Sequence, residues 1–493
     1  MGRKGARSVL LAVAALAALS VLTVSLTSYS RAGARATPLR QNTTAARAGG
    51  NPAGGPDGGQ AEESRARVLA ASSPPSPSFH WRSYFENYPE LLQPPEALEY
   101  NEQAAWQHYN HTGRAQHRVA SPLRLRFRYT GANASPGLTN QLLAHLSAFM
   151  IAQAAGAEVV VAPFVSRRAF TEPAEWLWQP AESVLDINSM AEYWRPRGLV
   201  IHRTPELSAA QRADYPKLLE RNDPASALYG DQGCATAVLP PVEPQLQTVA
   251  QRARRAAVFV AETQLKANGT VPGCVNLDTG HIFFRVPVVT DQALALSLFR
   301  GFFYNRTVVD LAAAVKQQVG SGFHAAHLRI EQDANGWNQW GGGATGALLE
   351  YIKVMAGSAF TNTTTVYVAS GLLYNGPSLE FDQVVETLRN ASVAGRVVYK
   401  EQLLDRAVLQ GLHSEQQALI DLLVMAGARA FVGHPFSTMS VTVEQLRISA
   451  GFLPETNAYI YIWEKEHDDN NARFVRFVRF AHEYRPRVRH RRR

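Results

Sequence analysis

Leu123, Leu125, Phe127 and Tyr129 alternate with Arg124, Arg126 and Arg128, and this period of two predicts a strand. A Gly/Asn/Pro loop follows. Residues 138–155 then place Leu138, Leu142, Leu146 and Phe149 at helical spacing, and the apolar run Val159 to Ala162 stops at Pro163. Strand, loop, helix, strand is a βαβ unit, which commits the chain to a parallel sheet with helices packed on it. The pattern continues. Strand-like runs at Leu199–His202, Val258–Ala261, Ile282–Val286, Ala325–Ile330, Val366–Ala369, Val397–Tyr399 and Ala430–Val432 are mostly separated by helical stretches such as Thr307–Val319 and Glu415–Met425. The expected fold class is α/β, with two Rossmann-like halves spanning 119–300 and 301–465.

Upstream, the chain reads as a succession of different segments. Ser8 to Ser30 holds no charged residue, and as a helix it would be roughly 35 Å long, enough to cross a bilayer. Arg3, Lys4 and Arg7 precede it, which favours a cytosolic tail (1–7) and a type II transmembrane anchor (8–30) over a cleaved signal peptide. Residues 31–79, rich in Ala, Gly, Pro and Ser, lack the apolar anchors of a core and read as a flexible stem. Residues 80–118 carry Trp81, Tyr84, Tyr88, Trp106 and Tyr109 at helical spacing, split by Pro94-Pro95. They predict two short helices forming a small Trp/Tyr-rich module or a collar on the main domain.

The formal net charge of +8 is concentrated at one end. Between residues 473 and 493 nine arginines oppose the single acid Glu483, which accounts for the whole excess. The rest of the chain is near neutral, which argues against a nucleic-acid surface spread over the fold. Phe474, Phe477 and Phe480 within the basic tail (466–493) read as a final amphipathic element followed by solvated arginines. Sequons at Asn42, Asn110, Asn133, Asn268, Asn305, Asn362 and Asn390 fit a lumenal location, with Asn133 disfavoured by the nearby Pro136. Cys234 and Cys274 are the only cysteines; an oxidising lumen allows a bridge, and the sequence leaves paired and free thiols evenly balanced.

Three segments stand at predicted strand ends, where open α/β sheets bind ligands. Gly137-Leu138-Thr139-Asn140-Gln141 opens a helix whose first amides, with the Asn140 side chain, can hold an anionic or polyhydroxy group; capping of a turn by Asn140 is the plainer alternative. His327-Leu328-Arg329-Ile330-Glu331-Gln332-Asp333 puts an arginine at the tip of an apolar strand, where its fork suits a diphosphate unless Glu331 or Asp333 already pairs with it. Phe431 to Ser440 runs from strand through a Gly/Pro turn to Ser437, Thr438 and Met439 at a helix start, either a phosphate cradle or an ordinary N-cap.

In this order, together with Val366-Tyr367-Val368-Ala369-Ser370-Gly371, these motifs resemble the GDP-fucose protein O-fucosyltransferase superfamily, most of all its plant-type branch. The likeness covers about residues 123–450. It implies a GT-B fold, two Rossmann-like domains facing a cleft, and inverting transfer of a deoxyhexose from a nucleotide diphosphate. GDP-fucose is the implied donor, a protein or polysaccharide hydroxyl the acceptor, and no metal or other cofactor is implied. By the same resemblance Arg329 neutralises the departing diphosphate, Ser437, Thr438 and Met439 hold the donor phosphates, His327 and Asp421 position the nucleoside side, and Gly137 and Asn140 orient sugar or phosphate. Glu331 is a candidate base or the partner of Arg329. Departures at Pro136, Thr139 and the Ser-Thr-Met turn leave a rhamnosyl donor, or a glycan-binding relative without transfer, as alternatives. A Golgi or ER membrane location follows from the anchor and the sequons.

Overall fold

The structure, a computed structural model, describes residues 79–131, 137–167, 176–239, 246–282, 297–331, 342–372, 379–435 and 437–460. The expected anchor, the stem up to residue 78, the basic tail, Asn42 and Asn133 lie outside the described residues. Among the described residues no helix is long and apolar enough to cross a membrane.

Two parallel five-stranded sheets organise the chain. The first comprises β1 (Leu125–Arg128), β2 (Glu158–Val160), β5 (Ile201–His202), β6 (Ala235–Val238) and β7 (Val275–Asp278), in the spatial order β5-β2-β1-β7-β6. Between β2 and β5, the antiparallel pair β3 (Phe164–Arg167) and β4 (Trp176–Gln179) forms a separate ribbon. The second sheet comprises β8 (His324–His327), β9 (Thr365–Ala369), β10 (Arg396–Val398), β11 (Phe431–Gly433) and β12 (Asn457–Tyr459), in the order β10-β9-β8-β11-β12. In each sheet the strand order runs outward one way and then reverses beside the first strand, between β1 and β7 and between β8 and β11. These are the topological switch points, where the connections diverge and leave a crevice at the carboxyl ends.

The first βα unit folds as its periodicity predicts. The helix Leu138–Ala155 is buried along nearly its whole length and ends where Gly156 takes the left-handed conformation (φ 65°). Other expectations need correction. Val258–Ala261 is not a strand but part of the helix Leu246–Asn268, whose Ala250, Ala253, Ala257 and Ala261 recur at helical spacing and are buried. Four apolar residues taken alone could not reveal that period. Beyond Ile282 the run expected to Val286 lies outside the described residues; the strand beside β1 is β7, Val-Asn-Leu-Asp, whose Asn276 and Asp278 are buried polar residues.

Residues 79–120 form a collar. Phe79, Tyr84, Phe85, Tyr88, Leu91, Ala105 and Ala120 cluster with Val258 of the long helix. The Tyr88 hydroxyl locks the contact, donating to Glu262 (2.6 Å) and accepting from the Val119 amide (2.6 Å). Cys234 and Cys274, preceding β6 and β7, are joined in a disulfide. One apolar core runs through both sheets, taking in Phe127, Leu146 and Val159 from the first half and Ala325, Tyr367, Leu419 and Phe431 from the second.

Candidate active site

Arg329 lies two residues beyond the end of β8, on the carboxyl side of the second switch point. Its backbone is held before its side chain acts. The Tyr351 hydroxyl donates to the His327 carbonyl (2.6 Å) and accepts the Arg329 amide (3.1 Å), while Ser370 donates to the Leu328 carbonyl (2.9 Å). The guanidinium pairs with Glu331 at 3.1 Å and remains 20 % exposed, whereas the Glu331 side chain is 1 % exposed.

Glu331 is engaged on both oxygens. One accepts from Arg329, and the other from the Gly371 amide. A carboxylate so occupied and buried is a structural partner for Arg329.

A chain of hydrogen bonds links β8 to β11 across the switch point. The Ser440 hydroxyl accepts the His434 amide (2.9 Å) and meets His327 Nδ1 at 2.8 Å. Burial, reinforced by the charge of Arg329, lowers both His327 and His434 to about 3, so both rings are neutral near pH 7. The field of Arg329 thus reaches the turn that carries Ser437 and Thr438.

That turn meets the first half of the molecule. Thr438 donates to Asn140 Oδ1 (2.6 Å), and its oxygen lies 2.9 Å from the Thr139 hydroxyl. Since the Thr438 hydrogen is committed to Asn140, Thr139 is the donor in the second contact. Both pairs join the N-terminus of the helix Leu138–Ala155 to that of the helix Thr438–Ser449. Neither helix has a side-chain cap: Gly137 offers none, and the Ser437 hydroxyl makes no capping bond. Two sets of uncapped first-turn amides, each at a partial positive end of a helix dipole, therefore meet at this contact, next to a turn whose His434 feels the charge of Arg329. Chemically this is a site for a dianion such as a diphosphate.

Other expected residues are placed differently. Gly137 is extended (φ −65°) with open space where a Cβ would stand, so the backbone does not require glycine there. Met439 packs against the main core. Asp421 is turned into a buried cluster, accepting from Tyr367 (2.6 Å) and Lys400 (2.7 Å). Burial works against the Lys400 ammonium, but the Asp421 and Glu401 carboxylates outweigh it and raise its pKa. In this arrangement Asp421 is the ion-pair partner of Lys400. Asn268, Asn362 and Asn390 are exposed and Asn110 is half-buried. Asn305 is the cap of the helix Arg306–Val319, and its amide also donates to the Glu182 carbonyl (2.8 Å), so that side chain is structurally committed.

Comparison with known proteins gives only distant likenesses. No family model matches this chain and no curated protein does. Among solved structures, POFUT1 in complex with GDP aligns at 15 % identity with a TM-score of 0.41, covering 69 % of this chain and 99 % of that one. POFUT1 in complex with GDP-fucose gives 14 % and 0.41, covering 70 % and 100 %. The fucosyltransferase NodZ from Bradyrhizobium gives 12 % and 0.34, covering 66 % and 93 %. Structural neighbours of the chain are thus fucosyltransferases, at TM-scores below 0.5. The functional reading is drawn from this chain's own residues.

Thr139, Tyr351, His434 and Ser440 were not singled out by sequence reasoning as site residues. Ser440 closes the Phe431–Ser440 segment as the third residue of its helix, and only the approach of β11 to β8 reveals its contact with His327. Among the described residues no group of three or more His, Cys, Asp or Glu could hold a metal ion.

Proposed function

We propose that this chain is a nucleotide-sugar-dependent glycosyltransferase, with GDP-fucose as donor and a protein or glycan hydroxyl as acceptor. The observation that carries the reading is the meeting of two uncapped helix N-termini at the Thr438–Asn140 contact, on the turn whose His434 feels the charge of Arg329. Such a site grips a pyrophosphate and stabilises the charge that grows on it as the glycosidic bond breaks. The motif order supports the choice of donor, and transfer with inversion and without a metal belongs to the same proposal. So does a Golgi or ER membrane setting, supported by the apolar run 8–30 and by the disulfide, a bond of oxidising compartments.

Incubating the purified chain separately with GDP-fucose and UDP-rhamnose, and measuring nucleotide release, tests the reading. GDP release is expected, and Arg329→Ala is expected to lower it by ~10²–10³. Release from UDP-rhamnose alone would move the assignment to a rhamnosyl donor. Unchanged release in Arg329→Ala would sink the mechanism. The engagement of both Glu331 oxygens favours a second reading, a nucleotide-sugar-binding relative without transfer. Saturable GDP-fucose binding with no GDP release across a panel of glycan and peptide acceptors would select it.

A further inference from the structure

At the amino ends of β8, β9 and β11, the edge of the second sheet opposite the Arg329 site, lies a cavity of about 370 Å³. Its lining includes Ser321, His324, Thr363, Thr364, Thr365 and Arg429, with no carboxylate among the lining residues. Arg429 is exposed at the side chain but fixed at the backbone. Its amide donates to the Phe323 carbonyl (2.8 Å), and its carbonyl accepts from the fully buried Arg447, which also bonds the Ala428 carbonyl. The turn is thereby fixed, and the exposed Arg429 side chain lines the cavity from it. His324 is 7 % exposed, packs edge-on against Phe360, and among the described residues its Nδ1 has no hydrogen-bond partner.

We propose that this cavity is a second binding site, distinct from the donor cleft, for an oxyanion of the phosphate or sulfate class. Arg429 supplies the charge, the Ser321 and Thr363–Thr365 hydroxyls supply neutral donors, and His324 forms the wall. Burial and the charges of Arg429 and Arg447 hold the His324 ring below its ordinary pKa. An anion seated between these groups opposes that effect and raises it.

The test is calorimetric titration of the purified full chain with inorganic phosphate and, separately, a hexose 6-phosphate, with the His324 ring followed by NMR. Because phosphate also fits the donor cleft, both titrations are repeated in Arg329→Ala. Saturable binding is expected to survive Arg329→Ala, to weaken about tenfold or more in Arg429→Gln, and to raise the His324 pKa. Tighter binding of the hexose phosphate assigns a sugar-borne group, equal or weaker binding assigns the free ion, and either upholds the site. Binding lost in Arg329→Ala but intact in Arg429→Gln belongs to the cleft and overturns the proposal, as does the absence of saturable binding. Arg429→Gln alters an exposed side chain, so an unchanged melting temperature will separate lost binding from lost folding.

Discussion

Three histidines in this molecule are neutral because they are buried, and the consequence is a pH-dependent stability that can be signed in advance. His145, His327 and His434 are each lowered to about 3, by burial first and, for the latter two, by Arg329 next. An unfolded chain takes up these protons near pH 6.5, well before the folded one does. Their contribution is therefore complete above about pH 6.5 and is lost as pH falls from there toward 3, at up to ~1.4 kcal/mol per pH unit for each ring. Urea unfolding at pH 7, 6 and 5 will show this slope, and His327→Gln is expected to flatten it by one proton's share; an unchanged slope would mean that His327 is solvated. At this scale the sequence was a partial guide. The pattern of apolar runs placed Arg329 just beyond β8 and Thr438 at a helix start, and the structure has both there. Glu331 and Asp421 could not be resolved, because whether a carboxylate meets a ligand or a protein cation depends on Ser370, Gly371, Lys400 and Tyr367, which are distant in sequence.

Between elements, the close approach of the helix Thr438–Ser449 to β11 sets the geometry of the donor turn. A Cβ at Gly433 would stand 2.7 Å from both the Cβ and Oγ of Ser440 and 2.9 Å from the Phe431 ring. Gly433→Ala must push the helix outward, stretching the bonds from Ser440 to His327 and from Thr438 to Asn140. The expected cost is ~1–3 kcal/mol in stability, with weaker GDP-fucose binding, read by thermal melting and by titration. Gly137→Ala, which meets nothing within 4 Å, is expected to cost at most about 1 kcal/mol, the scale of an N-cap exchange. Equal effects of the two would show that close packing at Gly433 does not hold the turn. The legibility of elements followed the same physics. Helices with a long apolar period and strands buried on both faces stood out, whereas β6 and β7 did not. β7 hides Asp278, which is fully buried yet gripped by Arg128 of β1 through two bonds of 2.6 and 2.7 Å. A carboxylate in a four-residue run argues against a buried strand until its partner 150 positions away is known.

For the molecule as a whole, the Cys234–Cys274 bridge closes a loop with a sequence separation of 40. Loop-closure entropy gives an upper estimate of ~4 kcal/mol for its stabilisation. The double variant Cys234→Ser/Cys274→Ser is expected to unfold at lower denaturant by an amount up to that figure; an unshifted midpoint would place the stability elsewhere. Pairing could not be read from two isolated cysteines, since it depends on β6 and β7 lying side by side. The shared apolar core has a consequence of its own. The halves are joined by packed side chains from both sheets, by Gln416 bonded to the Ser183 carbonyl (3.1 Å), and by the Thr438–Asn140 contact. Swinging them apart would bring apolar surface into water, so the free jaw-like motion of loosely joined domains is suppressed.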